Sequence, residues 1–197
     1  MRLSGSKHPH LKNNAMKKIA IFYCFMLFIL PSQLVAQSYI PSDKGSSVTF
    51  TIRNFGFNVS GSFKNLQGTI KFDPNNPEAS VFRVTVDAAT INTDNGSRDS
   101  HLKKEEYFDV AKYPKILFSS DKVEKTATVG LFIVKGKFTV KGTSKSISIP
   151  FSAKALNGGY LFNGKVVLNR RDFKVGGNSM VLSDNLTLTL NVFAPRE

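Results

Sequence analysis

The chain has 197 residues, with 27 Lys and Arg against 14 Asp and Glu, three His, one Cys and no Trp. Beyond residue 36 only His101 remains of the histidines and no cysteine remains at all. Over that stretch a zinc centre built mainly of His and Cys is excluded, and a two-His carboxylate iron site with it.

The first element in chain order is an export signal. Met16, Lys17 and Lys18 form a short positive region, and residues 19–30 (IAIFYCFMLFIL) are an uninterrupted apolar run. That run falls short of the roughly 20 apolar residues a spanning helix needs. Small residues follow, so residues 1–36 read as an N-terminal extension and cleaved signal peptide, with cleavage after Ala36 and Met16 as the biological start. Residues 37–197 then form the one domain, carrying 22 basic against 14 acidic side chains, a net charge of +8. An exported chain of this size without a disulfide must be held by burial alone.

Period-2 alternation dominates this domain and predicts half-buried strands. Val48, Phe50 and Ile52 share one face of the first run. Phe63, Ile70 and Phe72 belong to a second strand that bends near Leu66, Gln67 and Gly68. After a turn at Asp73-Pro74-Asn75-Asn76-Pro77 come Phe82, Val84, Val86 and Ala88. A helix is expected near 100–108, capped by Asp99 or Ser100. Strands resume with Ile116 and Phe118, then Phe132, Val134, Phe138 and Val140. A turn over Lys141-Gly142-Thr143-Ser144-Lys145 leads to Ile147, Ile149 and Phe151, and Asn157-Gly158-Gly159 turns the chain into Phe162, Gly164, Val166 and Leu168. Leu186, Leu188, Leu190, Val192 and Ala194 close the series. About eight short strands predict an all-β fold, a single antiparallel barrel or sandwich. Gly61, Gly68, Gly136 and Gly164 fall inside strand patterns, where they signal bulges or close backbone approach.

Fourteen of the 17 Phe lie in this domain, more ring volume than one flat sheet face requires. The expected cavity wall comprises Phe50, Ile52, Phe63, Phe72, Val84, Val86, Phe118, Phe138, Phe151 and Phe162. Alternation decides which residues share a face, not whether that face is packed solid. Catalytic signatures are missing: Asp99-Ser100-His101 are adjacent, whereas hydrolytic triads are drawn from separated segments, and no nucleophile elbow or phosphate loop occurs. The lysines stand singly on strand faces, where they discourage edge-to-edge association. They are not interleaved with exposed aromatics as in single-strand binders, so no nucleic-acid partner is expected.

The longest polar interruption, residues 93–118 (TDNGSRDSHLKKEEYFDVAKYPKILF), carries the most specific motifs. These are Arg98-Asp99-Ser100-His101-Leu102, Tyr107-Phe108-Asp109-Val110 and Tyr113-Pro114-Lys115-Ile116-Leu117-Phe118. Taken with Ser47-Val48-Thr49-Phe50-Thr51-Ile52, Gly68-Thr69-Ile70-Lys71-Phe72-Asp73-Pro74 and Asn169-Arg170-Arg171-Asp172-Phe173, they make the chain resemble the YceI-like family of polyisoprenoid-binding, lipocalin-like periplasmic proteins. The resemblance covers nearly all of residues 39–194. Lys174 after Phe173, and Ser183 before Asp184, depart from the family pattern, which has glycine at each place.

The resemblance implies a lipocalin-like barrel with an apolar channel for a long-chain isoprenoid amphiphile, a polyprenyl diphosphate or quinone. It implies a periplasmic location, no catalytic activity and no cofactor other than such a bound lipid. Partners would be that lipid and a peripheral membrane contact, with the protein a monomer or homodimer. Arg98, His101 and Arg170 match the family's polar motifs and are the expected head-group contacts, a guanidinium being suited to a pyrophosphate or quinone oxygen. For Arg170 an ion pair with Asp172 or Asp99 competes with that role. The alternative function is a non-enzymatic envelope interaction protein with a basic surface and a solid core.

Overall fold

The computed structural model describes residues 37–197, together with Met1 and Gly5; the expected signal peptide lies outside the described residues. Nine strands form one sheet: β1 (Gln37–Tyr39), β2 (Ser47–Asn54), β3 (Phe57–Phe72), β4 (Val81–Asn92), β5 (Lys115–Lys125), β6 (Leu131–Val140), β7 (Thr143–Leu156), β8 (Gly159–Asn169) and β9 (Leu182–Pro195). Their order is β1-β3-β2-β9-β8-β7-β6-β5-β4, and β3 also pairs with β4, so eight strands close into an antiparallel barrel. Closure removes the exposed edges that an open sheet would present.

The alternating residues set the register. Val48, Phe50 and Ile52 stand opposite Leu190, Leu188 and Leu186. Phe118 faces Phe138, Phe132 faces Phe151 and Phe162 faces Val192, so each ladder brings apolar side chains together on the inner face. Three hairpins turn on two residues with positive φ: Phe55 (50°) with Gly56 (81°), Lys141 (48°) with Gly142 (69°), and Asn157 (47°) with Gly158 (75°). This is the mirror-image turn whose twist matches antiparallel strands. The β6–β7 turn is therefore tighter than the expected five residues, with Val140 paired directly to Thr143.

The ninth strand was not expected. Gln37–Tyr39 is too short to show a period, and it exists because β3 is 16 residues long. The first half of β3 pairs with β2 and the last three residues with β1. Between the halves β3 bends where expected: Asn65 has φ of 62° and Gly68 of 135°. The register to β4 shifts on either side of Lys64. Asp43 holds this bend by accepting the backbone N–H of Asn65 and of Leu66, both at 2.8 Å.

Asp87 sits at the same irregularity. It pairs with Lys115, accepts from Asn65 Nδ2 and is half-buried. The hydrogen bond from Lys115, and after it the one from Asn65, hold its carboxyl below the ordinary carboxylate range against the opposing effect of burial. A depressed folded-state pKa contributes stability above the unfolded value of about 3.9 and loses it as pH falls through the lower folded value. Asp87→Asn is accordingly expected to lower stability by about 1 kcal/mol at pH 7, a small figure because the pair is partly solvated. Denaturant melts of both proteins should show the gap shrinking below about pH 3.9; a gap independent of pH would dismiss the charge pair as its cause.

Helix α1 spans Gly96–Leu102, earlier than the expected 100–108. Asn95 caps it, accepting from Arg98 N at 2.9 Å, while Asp99 accepts from Thr93 N (2.9 Å) and Thr93 Oγ1 (2.6 Å). Asn is as good a cap as Asp or Ser, and Asp99 is engaged elsewhere. Past Leu102 the chain folds into successive turns, with Phe108 N bonding to Leu102 O and Val110 N to Lys103 O. Those turns tuck Tyr107, Phe108 and Val110 against the core, which a continued helix would not do.

Candidate ligand-binding cavity

At one end of the barrel, Phe72 is the hub of an aromatic plug. Its ring centroid lies 6.2 Å from Phe82, 5.4 Å from Phe132, 6.1 Å from Phe151, 5.2 Å from Tyr160 and 5.3 Å from Phe162, all near edge-on. Edge-to-face packing at these spacings is the favoured arrangement of aromatic quadrupoles. Phe72 borders neither lobe of the hollow above it, so it fills rather than lines, contrary to its expected place on the cavity wall.

Above the plug the barrel is hollow, in two lobes. The inner lobe is floored by Phe82, Phe151 and Phe162 and walled by Val84, Val86 and Phe118, with about 900 Å³ of empty space counted out to its opening. The outer lobe has a similar volume and is walled by Phe50, Ile52, Leu102, Phe108, Phe173 and Leu186. Phe63, Ile116, Phe138 and Leu188 border both lobes and form a waist between them. Nine of the ten expected wall residues thus border the hollow; Phe72 is the tenth.

The waist is set by neighbours that the strand pattern could not reveal. Phe63 packs against Phe50 and Phe108, each at 5.6 Å between centroids, and Phe138 against Phe173 at 5.5 Å. Phe50 needs Gly61 opposite it: a Cβ on Gly61 would stand 2.4 Å from Phe50 Cζ. Phe108 and Phe173 come from the covering segments and were not expected at the site, although an aromatic residue in an otherwise polar segment was a readable signal. Leu186 and Leu188 were read as an inward row but not assigned to a cavity.

Residues of segments 93–114 and 170–182, which interrupt the strands, line the outer end of the outer lobe. Of the three expected head-group contacts, Arg98 and Arg170 lie on its wall and His101 does not. His101 is exposed, with its ring 4.9 Å from that of Tyr107. Helix α1 carries both Arg98 and His101, but Thr93 draws Arg98 inward: Nε donates to Thr93 Oγ1 at 2.7 Å and Nη2 to Thr93 O at 2.6 Å. Among the described residues, Nη1 of Arg98 makes no hydrogen bond.

Arg170 differs. It is 3% exposed, and Nε donates to Ser183 O (3.0 Å). Its Nη1 donates to Val175 O (3.0 Å) and Gly177 O (2.9 Å), and its Nη2 to Leu182 O (3.4 Å) and Asp184 Oδ1 (2.9 Å). All five guanidinium donors are therefore used within the protein. The ion-pair partner is Asp184, not the expected Asp172 or Asp99. Arg170 acts as a staple that holds the β8–β9 loop over the outer lobe.

The YceI-like domain model matches residues 39–194, almost the whole barrel. The chain belongs to the YceI-like family. A UPF0312 protein of Pseudomonas savastanoi pv. phaseolicola is 34% identical over 174 residues, 82% of this chain and 88% of that one. Among YceI-like proteins of known structure, that of Campylobacter jejuni is 30% identical with a TM-score of 0.65, over 72% of this chain and 86% of that one. A polyisoprenoid binding domain from Saccharophagus degradans, implicated in plant cell wall breakdown, has a TM-score of 0.66 at 14% identity, covering 83% of this chain and 99% of that one. At that identity the likeness concerns the fold.

Proposed function

We propose that this YceI-like protein is a non-catalytic carrier, exported to the periplasm, that holds one long-chain isoprenoid amphiphile with its tail in the two lobes and its head at Arg98. The observation that carries this reading is the hollow itself. Its inner lobe is bounded almost entirely by Phe, Val, Ile and Leu side chains, which leaves a ligand tail no polar partner to find. Affinity for such a tail comes from apolar area removed from water, at about 25 cal/mol per Å². The polyisoprenoid binding domain of Saccharophagus degradans shares the barrel, which supports the same ligand class. A hollow interior speaks against the alternative of a solid-cored interaction module.

The head group is assigned by the donors that remain. Arg170 has none to offer, whereas Arg98 keeps Nη1 at the lobe where the tail enters. Arg98→Ala is expected to weaken binding of a diphosphate-headed polyprenyl ligand by about 1–3 kcal/mol, the worth of a charge-assisted hydrogen bond, with a smaller fall in melting temperature from the two bonds to Thr93 that are lost. A lower melting temperature with unaltered affinity would make Arg98 structural instead. Mass spectrometry of lipids extracted from the protein purified from its own periplasm tests the ligand class. Recovery of no isoprenoid, or failure to find the protein there, would overturn the reading.

A further inference from the structure

Two loops at the open end carry apolar side chains that the cavity does not use. In the β2–β3 turn Phe55 is 69% and Phe57 76% exposed; in the β8–β9 loop Met180 is fully exposed and Val181 40% exposed. The loops are joined, because Phe55 N donates to Val181 O at 2.9 Å and Asn54 pairs with Leu182 across the ladder. Asn54 and Leu182 also border the outer lobe, so the exposed residues continue the cavity's rim outward. Large aromatic residues are disfavoured at solvated turn tips, and a joined group of them marks a surface with a partner. The same region, residues 53–58 and 170–184, carries Arg53, Arg170, Arg171 and Lys174 against Asp172 and Asp184; Asp184 pairs with the buried Arg170 and, at 3.5 Å, with Arg171, which remains about half exposed.

We infer that this rim is a membrane-docking tip: Phe55, Phe57, Met180 and Val181 enter the interfacial zone of an anionic bilayer while Arg53, Arg171 and Lys174 meet its headgroups. The chemistry of the tip, exposed apolar side chains beside cations, is that of an interfacial anchor. Arginine and lysine stems lie along apolar surface with their charges at the headgroups. Docked in this way, the outer lobe faces the bilayer, and an amphiphile passes between lipid and cavity without crossing water. The inference rests on the proposed carrier function for its purpose, but the docking is measured independently of any ligand.

The chain has no tryptophan, so Phe57→Trp supplies a fluorophore at the tip without a competing indole. Vesicles of phosphatidylglycerol and phosphatidylethanolamine should shift its emission to the blue, and brominated lipid should quench it. In flotation, the Phe55→Ser/Phe57→Ser double variant should lose vesicle binding by about tenfold or more. Val129→Ser, which removes a fully exposed apolar side chain in the β5–β6 turn, should lose none. An indole that ignores vesicles would overturn the inference, as would a blue shift that grows with protein concentration in their absence and marks a second copy as the occupant. Titration with a soluble short-chain polyprenyl diphosphate separates the two readings. Uptake of that ligand without flotation defeats docking alone; flotation without uptake upholds docking and defeats the carrier.

Discussion

Arg170→Ala is expected to lower the stability of the protein by about 3–5 kcal/mol, the range for removing one member of a buried charged network. Four backbone carbonyls and Asp184 Oδ1 lose their donors together. Hydrogen bonds to a charged donor are worth more than neutral ones, and carbonyls left buried keep the cost of their desolvation. For a domain of this size each kcal/mol moves the melting temperature by about 2–4 °C, so a drop of about 6–20 °C should appear in thermal melts. Arg170→Lys should rescue little, because one ammonium with three donors cannot span the fork. The β8–β9 loop should also become the first site of proteolysis. A variant that melts within about 2 °C of the parent would show that water replaces the guanidinium at small cost, and the staple would have to be abandoned.

Phe72→Ala should be comparably severe, at about 3–5 kcal/mol, the usual cost of deleting a buried ring. Five neighbouring rings lose a packing partner at once, and a closed barrel has little freedom to collapse into the void. The variant also carries a functional reading. Phe82, Phe151 and Phe162 touch Phe72 and floor the inner lobe, so the space vacated adjoins the cavity. If the plug sets the depth available to a ligand tail, the variant should favour longer polyprenyl chains over shorter ones, relative to the parent. Competition between chains of two lengths, measured below the lowered melting temperature, checks this. A loss of stability with no change in length preference would confine Phe72 to packing.

The alternation of apolar and polar residues by itself determined eight of the nine strands and their inward faces, because a period of two allows only one burial pattern per strand; it left barrel and sandwich open, and the pairing of β3 with β4 decided for the barrel. Phe50, Phe118 and Phe162 reach the hollow for that reason. The order of motifs likewise sufficed for the family, confirmed by a match over residues 39–194. The tertiary structure decided what lies between the faces. Phe72 and Phe138 occupy equivalent inward positions, yet one is sealed among five rings and the other borders both lobes, since strand bends and neighbouring rings set the free volume. The polar residues diverged further. Arg98, His101 and Arg170 look alike as polar residues near a mouth, but one is turned to the cavity by Thr93, one lies outside against Tyr107, and one is consumed by carbonyls five to thirteen residues away along the chain and by Asp184. Hydrogen-bond partners are chosen by where loops cross in space, and no local period encodes that.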